Sequence, residues 1–523
     1  MEQKTTYVPD VAGRTDALII VPPPSPSDTN PPLGPAVIAR AAARRGLRVE
    51  VADLNIIYLN DFRDAERRHS SYALGDHGKN RAVVSAAAAR LFDSSGLRSR
   101  RSSYLPDGAD PVAGMHYGFG TLDAAVTEAT RGAVWRPWLV EHLFSRFAAA
   151  PTVVGVSLMG PSQVFLALVI FALAKELWPA SLTVLGGSHA TLLIDDITRR
   201  EAYRRHIDLV LQGHSERRFG DLLDALRADP GAGRRNRVQG SVLDAAPPGA
   251  DFDYLPLFGA DQLRLYDTER LTLPLQFTRG CAYARCTFCT YPVVEPVRTP
   301  FAAGRARAAI AALVDSHGIR RFSIKDSLFT APMMRELADR LSGEGPEIAW
   351  SATTKANRGV IRHASKLAAA GLATVEIGVE TIHRSGQELF DKRADISLLE
   401  DVILGFAESG VTVVVNLIFG LPGERLADAE RQLSWFLDLQ RRAPAGRIDG
   451  SLNMLEIVRG SPLEAHPPPG VCLYGVAPWA YCYAWNAPPW RSGFAEVLRD
   501  VELARPRPEL HEGPVSGSRR RTA

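Results

Sequence analysis

Three cysteines on one short stretch concentrate the chemistry of this sequence. Cys281, Cys286 and Cys289 are spaced C-x4-C-x2-C, directly after a strand-like run over 271–278. Thiolates are soft ligands, suited to iron in a sulfide cluster or to zinc. A structural zinc site wants a fourth ligand close by. None is evident, since the next cysteine is Cys472 and no histidine lies between Cys289 and His317. Three thiolates on a four-iron cluster leave one iron open, and an open iron can bind a substrate. On spacing alone, zinc and a plain group of buried thiols stand as alternatives.

The chain that must position this loop has 523 residues, room for about three domain-sized units. Its 61 basic and 58 acidic residues leave a net charge of +3, which gives no global pull toward nucleic acid or a membrane. The longest apolar run, 164–174, is interrupted by Lys175 and is too short to span a bilayer. The first residues are polar and lack the apolar segment of a secretion signal. Five cysteines, three of them clustered, argue against a secreted disulfide framework. The expectation is a cytoplasmic protein with neither nucleic-acid nor membrane partners.

Hydrophobic runs divide the chain. Residues 1–245 read as a doubly wound α/β domain, with strands at 16–21, 48–53, 152–157, 182–185 and 207–211. An irregular, partly helical insertion is expected at 60–150. In such a sheet a ligand sits over the C-terminal strand ends, where Ser157, Gly186, Gly187, His189 and Gly213 fall. A connector is expected over 246–265. Strands at 271–278, 321–325, 347–351, 374–379, 412–418 and 450–457 alternate with helical segments, giving six βα-type units over 266–460. Residues 461–505 form a Pro/Trp/Tyr-rich region, a core or a substrate wall, and 506–523 a disordered tail. Cys472 and Cys482 read as ordinary thiols.

The cysteine loop, with Phe288 just before its last cysteine, resembles the cluster loop of the radical S-adenosylmethionine (SAM) enzymes. It departs from their usual C-x3-C-x2-C by one residue in the first gap. The segments Asp53-Leu54-Asn55, Gly186-Gly187-Ser188-His189 and Gly213-His214-Ser215-Glu216 resemble, in that order, the cobalamin-binding domain that precedes the barrel in one subclass of that family. The D-x-H-x-x-G motif of older cobalamin enzymes is absent.

The resemblance implies an N-terminal Rossmann-like cobalamin-binding domain and a partial (β/α)6 TIM-type barrel. It implies a 4Fe–4S cluster on Cys281, Cys286 and Cys289. SAM is expected against Phe288, Asp326, Thr353, Lys355, Glu380 and Asn416, and cobalamin against Ser157, Gly186, Gly187, His189 and Gly213. The activity implied is methyl transfer from SAM, via methylcobalamin, to a carbon of a natural-product or peptide substrate, with flavodoxin or ferredoxin as reductant. A radical SAM cyclase, rearrangement or oxidation catalyst is the alternative within enzymes, and a non-catalytic metal-binding protein the alternative outside them.

Overall fold

A computed structural model describes residues 15–23, 30–69, 119–199, 201–229, 253–267, 270–343, 346–474 and 482–503. The Arg/Ser-rich patch at 98–103, a Pro/Gly-rich break at 245–250, residues 475–481 of the aromatic region and the tail at 506–523 lie outside them.

Continuous apolar runs make the first sheet, because a parallel strand covered on both faces has no polar side. Strands β1 (Ala17–Val21), β2 (Val49–Asp53), β3 (Val153–Ser157), β4 (Leu182–Gly186) and β5 (Leu209–Val210) are all parallel, in the order β2-β1-β3-β4-β5. The order reverses between β1 and β3, the crevice where such sheets take ligands. Helix Val164–Leu177 is apolar all round and therefore buried, between the sheet and helices Phe119–Arg131 and Trp135–His142. The latter two fall inside the stretch expected as an insertion. Helices Leu33–Ala43 and Glu216–Ala228 cover the opposite face.

The second sheet is also wholly parallel and runs in sequence order: β6 (Leu273–Leu275), β7 (Arg321–Ile324), β8 (Ala349–Thr354), β9 (Leu372–Glu380), β10 (Thr412–Phe419) and β11 (Ile448–Met454). It is a partial barrel with an intervening helix layer. Side chains alternate across each strand. Val375, Ile377 and Val379 of β9 and Val413, Val415 and Leu417 of β10 pack with Phe406 and Phe436 in the largest core. Burying each such side chain contributes roughly 1.5–3 kcal/mol. The other face, toward the lumen, carries Thr353, Glu376 and Asn416. Two expected strands are shorter than their apolar runs. β6 ends at Leu275 because Gln276 begins the cysteine loop. β11 ends at Met454, and β12 (Ile457–Val458) pairs antiparallel with β14 (Cys482–Trp485), which also pairs β13 (Leu473–Tyr474). Cys482 is buried in this small sheet, Cys472 is exposed, and neither is in a disulfide. Among the described residues no helix is long and apolar enough to cross a membrane.

The connector is pinned to the first sheet by one buried contact. The Tyr266 hydroxyl donates to Asp53 Oδ2, while Oδ1 accepts from the backbone N–H of Asn55 at 3.0 Å and of Ile56 at 3.3 Å. Burial pushes the Asp53 pKa up to about 6, against the pull of these donors. A folded-state pKa raised above the unfolded value gives a stabilising contribution that is present at low pH and lost as pH rises through about 6. Above that pH the ionised carboxylate depends on its donors. Tyr266→Phe is expected to cost about 1.5–3 kcal/mol at pH 8 and less at pH 5, read by chemical unfolding at both.

Candidate functional site

The cysteine loop is held on all sides by backbone and carboxylate contacts. Glu295, buried, accepts from Gln276 Nε2 at 2.7 Å and from the Gly280 N–H at 3.0 Å. Arg279 N–H donates to Thr299 Oγ1 at 2.8 Å. Gly280 has φ +69°, and a Cβ there would stand 2.8 Å from the Val297 carbonyl oxygen, so only glycine fits beside Cys281. The longer first gap is closed by Ala284, itself left-handed at φ 51°. Thr287 is tied to the segment after β9: its N–H donates to the Phe390 carbonyl at 3.0 Å and its hydroxyl to that of Leu389 at 2.7 Å. Phe288 packs edge-on against Phe390 at 4.7 Å.

The three thiols are partly exposed and free. Burial pushes the Cys289 thiol up to about 11, with Cys286 and Cys281 adding to the shift. Burial also raises Cys286, against the pull of the Lys392 ammonium. The thiols are thus close enough to feel one another. Among the described residues, no three His, Cys, Asp or Glu side chains converge to hold a single metal ion. Three soft donors grouped on one loop suit an iron–sulfur cluster or zinc.

Two lysines and a carboxylate sit beside the thiols. Glu380 ends β9 in the left-handed region (φ 65°), where the register with β10 shifts, and its Oε1 pairs with Lys392 Nζ at 2.8 Å. Gly378 leaves the room for this pair, since a Cβ there would lie 2.6 Å from Glu380 Oε1. Burial opposes the charge on Lys392, yet Glu380 and Cys286 together hold its pKa above the ordinary lysine value. Lys355 lies 3.9 Å over the Tyr283 ring and donates to the Lys392 carbonyl. Burial first, then Lys392, depresses its pKa.

The other expected SAM contacts have partners of their own. Asp326 is buried and braces the root of the cysteine loop. Its oxygens accept from Phe277 N–H at 3.0 Å, from Thr278 N–H at 2.5 Å and from the Thr278 hydroxyl. Burial still lifts its pKa to about 6. Thr353 donates to Glu376 Oε2 at 3.1 Å, and Asn416 Nδ2 to Glu376 Oε1 at 2.9 Å. After β10, Glu424 closes the Gly420–Gly423 turn by accepting from Gly420 N–H at 2.6 Å and Leu421 N–H at 2.9 Å.

In the first domain, Ser157, Gly186, Gly187 and Gly213 gather at the C-terminal ends of β3, β4 and β5. Gly187 has φ +102°, and a Cβ there would fall 2.2 Å from the Leu158 carbonyl oxygen. Gly187→Ala is expected to destabilise this domain by more than about 2 kcal/mol, read as a lowered thermal midpoint. His189 is fully buried, and its N–H donates to the Leu158 carbonyl at 3.2 Å, which makes it part of the turn's framework. Gly213 N–H donates to Thr191 Oγ1 at 3.0 Å, tying the β4 and β5 loops together.

These loops meet the cysteine loop directly. Arg279, two residues before Cys281, is buried; it donates to His214 Nδ1, and its Nη2 lies 2.5 Å from Glu216 Oε1. Burial, with Arg279 adding to it, pushes His214 down to about 4, which keeps the ring neutral and able to accept. Helix Tyr291–Val294, just past Cys289, packs on helix Ser188–Leu192. Farther on, Arg459 pairs with Asp196 at 2.5 Å and lies over the Tyr483 ring. The ligand edges of both sheets therefore share one boundary. The motif reading missed Arg279, Lys392, Glu376 and Glu295. Glu216 stood inside a quoted motif, but its contact with Arg279 spans 63 residues.

Residues 275–436 match the family model described as the radical SAM superfamily, so the chain carries a domain of that superfamily. Over 317 residues the chain is 25% identical to the anaerobic magnesium-protoporphyrin IX monomethyl ester cyclase of Cereibacter sphaeroides, covering 54% of this chain and 49% of that one. It spans 49%, 64% and 52% of the length of the curated relatives it matches. Its fold is similar to that of OxsB, a cobalamin-dependent SAM radical enzyme solved with aqua-cobalamin and SAM bound (TM-score 0.59, 12% identity, 90% of this chain and 64% of that one). It is also similar to the radical SAM methyltransferase TsrM from Kitasatospora setae, solved with tryptophan substrate and a SAM analogue (TM-score 0.57, 15% identity, 94% of this chain and 89% of that one). At these identities the likeness is one of fold. What is shared is a parallel, doubly wound sheet followed by a partial barrel.

Proposed function

We propose that this chain is a cobalamin-dependent radical SAM methyltransferase acting on a carbon of a natural-product precursor or peptide. The observation that carries the reading is the boundary at Arg279, His214 and Glu216. It sets the ligand edge of the first sheet against the cysteine loop, so groups held on the two edges face one substrate. In this reading Cys281, Cys286 and Cys289 hold a 4Fe–4S cluster, and Ser157, Gly186, Gly187 and Gly213 border cobalamin. When bound, the cluster supplies the electron that cleaves SAM to a radical, and cobalamin supplies the methyl carrier.

The chain's own residues position and seal. Asp326 and Glu295 fix the loop, and Phe288 with Phe390 excludes water behind it. Lys355 and the Glu380–Lys392 pair meet the polar groups of SAM. His189 supports the cobalamin turn from within. A flavodoxin or ferredoxin in the cytoplasm is the reductant. The test is transfer of label from SAM carrying a heavy methyl group, in extracts of a deletion strain supplied with the reconstituted protein. A product that gains the label supports the reading, and label found only in methionine and SAM metabolites contradicts it. A relative named as a cyclase supports a second reading, radical cyclisation or oxidation without methyl transfer; it predicts radical cleavage products with no labelled acceptor.

A further inference from the structure

The mouth of the barrel holds two opposite charges that do not pair. The Ser323↔Ser351 and Ile324↔Ala352 registers put Lys325 beside Thr353, and Thr353 is registered with Glu376. The three therefore form one transverse row on the lumen side. Lys325 makes no side-chain hydrogen bond or ion pair with another described residue within bonding distance, although Glu376 raises its pKa electrostatically against the larger lowering by burial. Its side chain is nevertheless exposed. Solvent-accessible yet enclosed is what a group at an open barrel mouth shows.

Opposite stands an acceptor face. Glu376 receives one hydrogen bond on each oxygen, from Thr353 and Asn416. A carboxylate accepts about four, so each oxygen has capacity left. Because Asn416 turns its amide N–H to Glu376, its Oδ1 points the other way, and that oxygen is buried with no hydrogen-bond partner. A buried acceptor left open costs stability, and the Lys325 ammonium, with no carboxylate among the described residues hydrogen-bonded to it, has donors to spare. A ligand that meets both satisfies the acceptor and the donors together.

We propose that Lys325 and the Thr353–Glu376–Asn416 row form the substrate subsite of this barrel, and that it takes an α-amino-acid zwitterion. The carboxylate goes to Lys325, and the ammonium goes to Glu376 and Asn416 Oδ1. This rests on the reading of the chain as a radical SAM enzyme and names its substrate class. It turns Thr353 and Asn416 from SAM toward the substrate. The SAM-facing Glu380 pairs with Lys392 nearer the cysteines.

The test is equilibrium dialysis of the anaerobically reconstituted, SAM-loaded protein against the free L-amino acids. Each is compared with its des-carboxy amine and its des-amino acid. At least one amino acid is expected to bind about tenfold or more tighter than both its analogues. Lys325→Met should erase the advantage over the amine alone, and Glu376→Gln the advantage over the des-amino acid alone. A general loss of folding moves all three ligands together and cannot imitate this split, and Lys325→Gln serves if the methionine variant does not fold. If no amino acid outbinds its analogues, or the preference persists in the variants, the subsite is overturned. Iron, sulfide and 5′-deoxyadenosine measured on the same samples show separately whether the radical SAM reading itself holds.

Discussion

Cys289→Ala is expected to abolish 5′-deoxyadenosine formation, a loss of at least about a thousandfold, equivalent to some 4 kcal/mol or more. The cause is local. Cys289 is one of three thiols on the loop, and two thiolates do not retain a cluster with an open iron. The neighbouring contacts of Thr287 with Leu389 and Phe390 do not involve the Cys289 thiol, so the variant is expected to fold. The check is product analysis with a low-potential reductant, alongside iron and sulfide content and far-UV circular dichroism. A folded variant that still forms 5′-deoxyadenosine would sink the cluster assignment.

The second large effect falls on the boundary between the domains. Arg279→Met leaves Glu216, with 21% side-chain exposure, facing an apolar group where a guanidinium stood at 2.5 Å. Removing one partner of a buried pair costs about 3–5 kcal/mol. The cost belongs to docking, since neither sheet depends on the contact for its own hydrogen bonds. Calorimetry of the variant should resolve two unfolding transitions where the parent shows a more cooperative one. Glu216→Gln should give a smaller effect of the same sign, and the double variant less than the sum of the two. Strict additivity would show that the two groups do not act together.

Much of the framework was legible in the sequence. Ala17–Val21 and Val153–Val156 are continuous apolar runs that admit only a strand covered on both faces. The three clustered cysteines marked the loop that carries the chemistry, although their spacing alone left zinc open. The alternation of Val375, Ile377 and Val379 with Glu376 and Gly378 was also visible, and asking which face it exposed would have drawn Glu376 into the lumen. Asp326 was found at a strand end, but spacing does not say where a carboxylate turns, and three donors of the cysteine loop take it. His189 was expected beside a ligand, whereas the structure buries it, and that burial depends on the packing of Ser188–Leu192, which no local pattern reports. Lys392 belongs to no motif. It reaches Glu380 because the chain returns over β9 after a short helix, a fact of tertiary path alone.

The most direct test of cobalamin-dependent radical methyl transfer needs no substrate. The protein is reconstituted anaerobically with iron, sulfide and hydroxocobalamin, given SAM and a low-potential reductant, and its small molecules are quantified by mass spectrometry. Retained cobalamin, with S-adenosylhomocysteine appearing beside slow 5′-deoxyadenosine, is the predicted result. 5′-Deoxyadenosine alone, from protein that keeps no cobalamin, would contradict methyl transfer while leaving the radical domain intact.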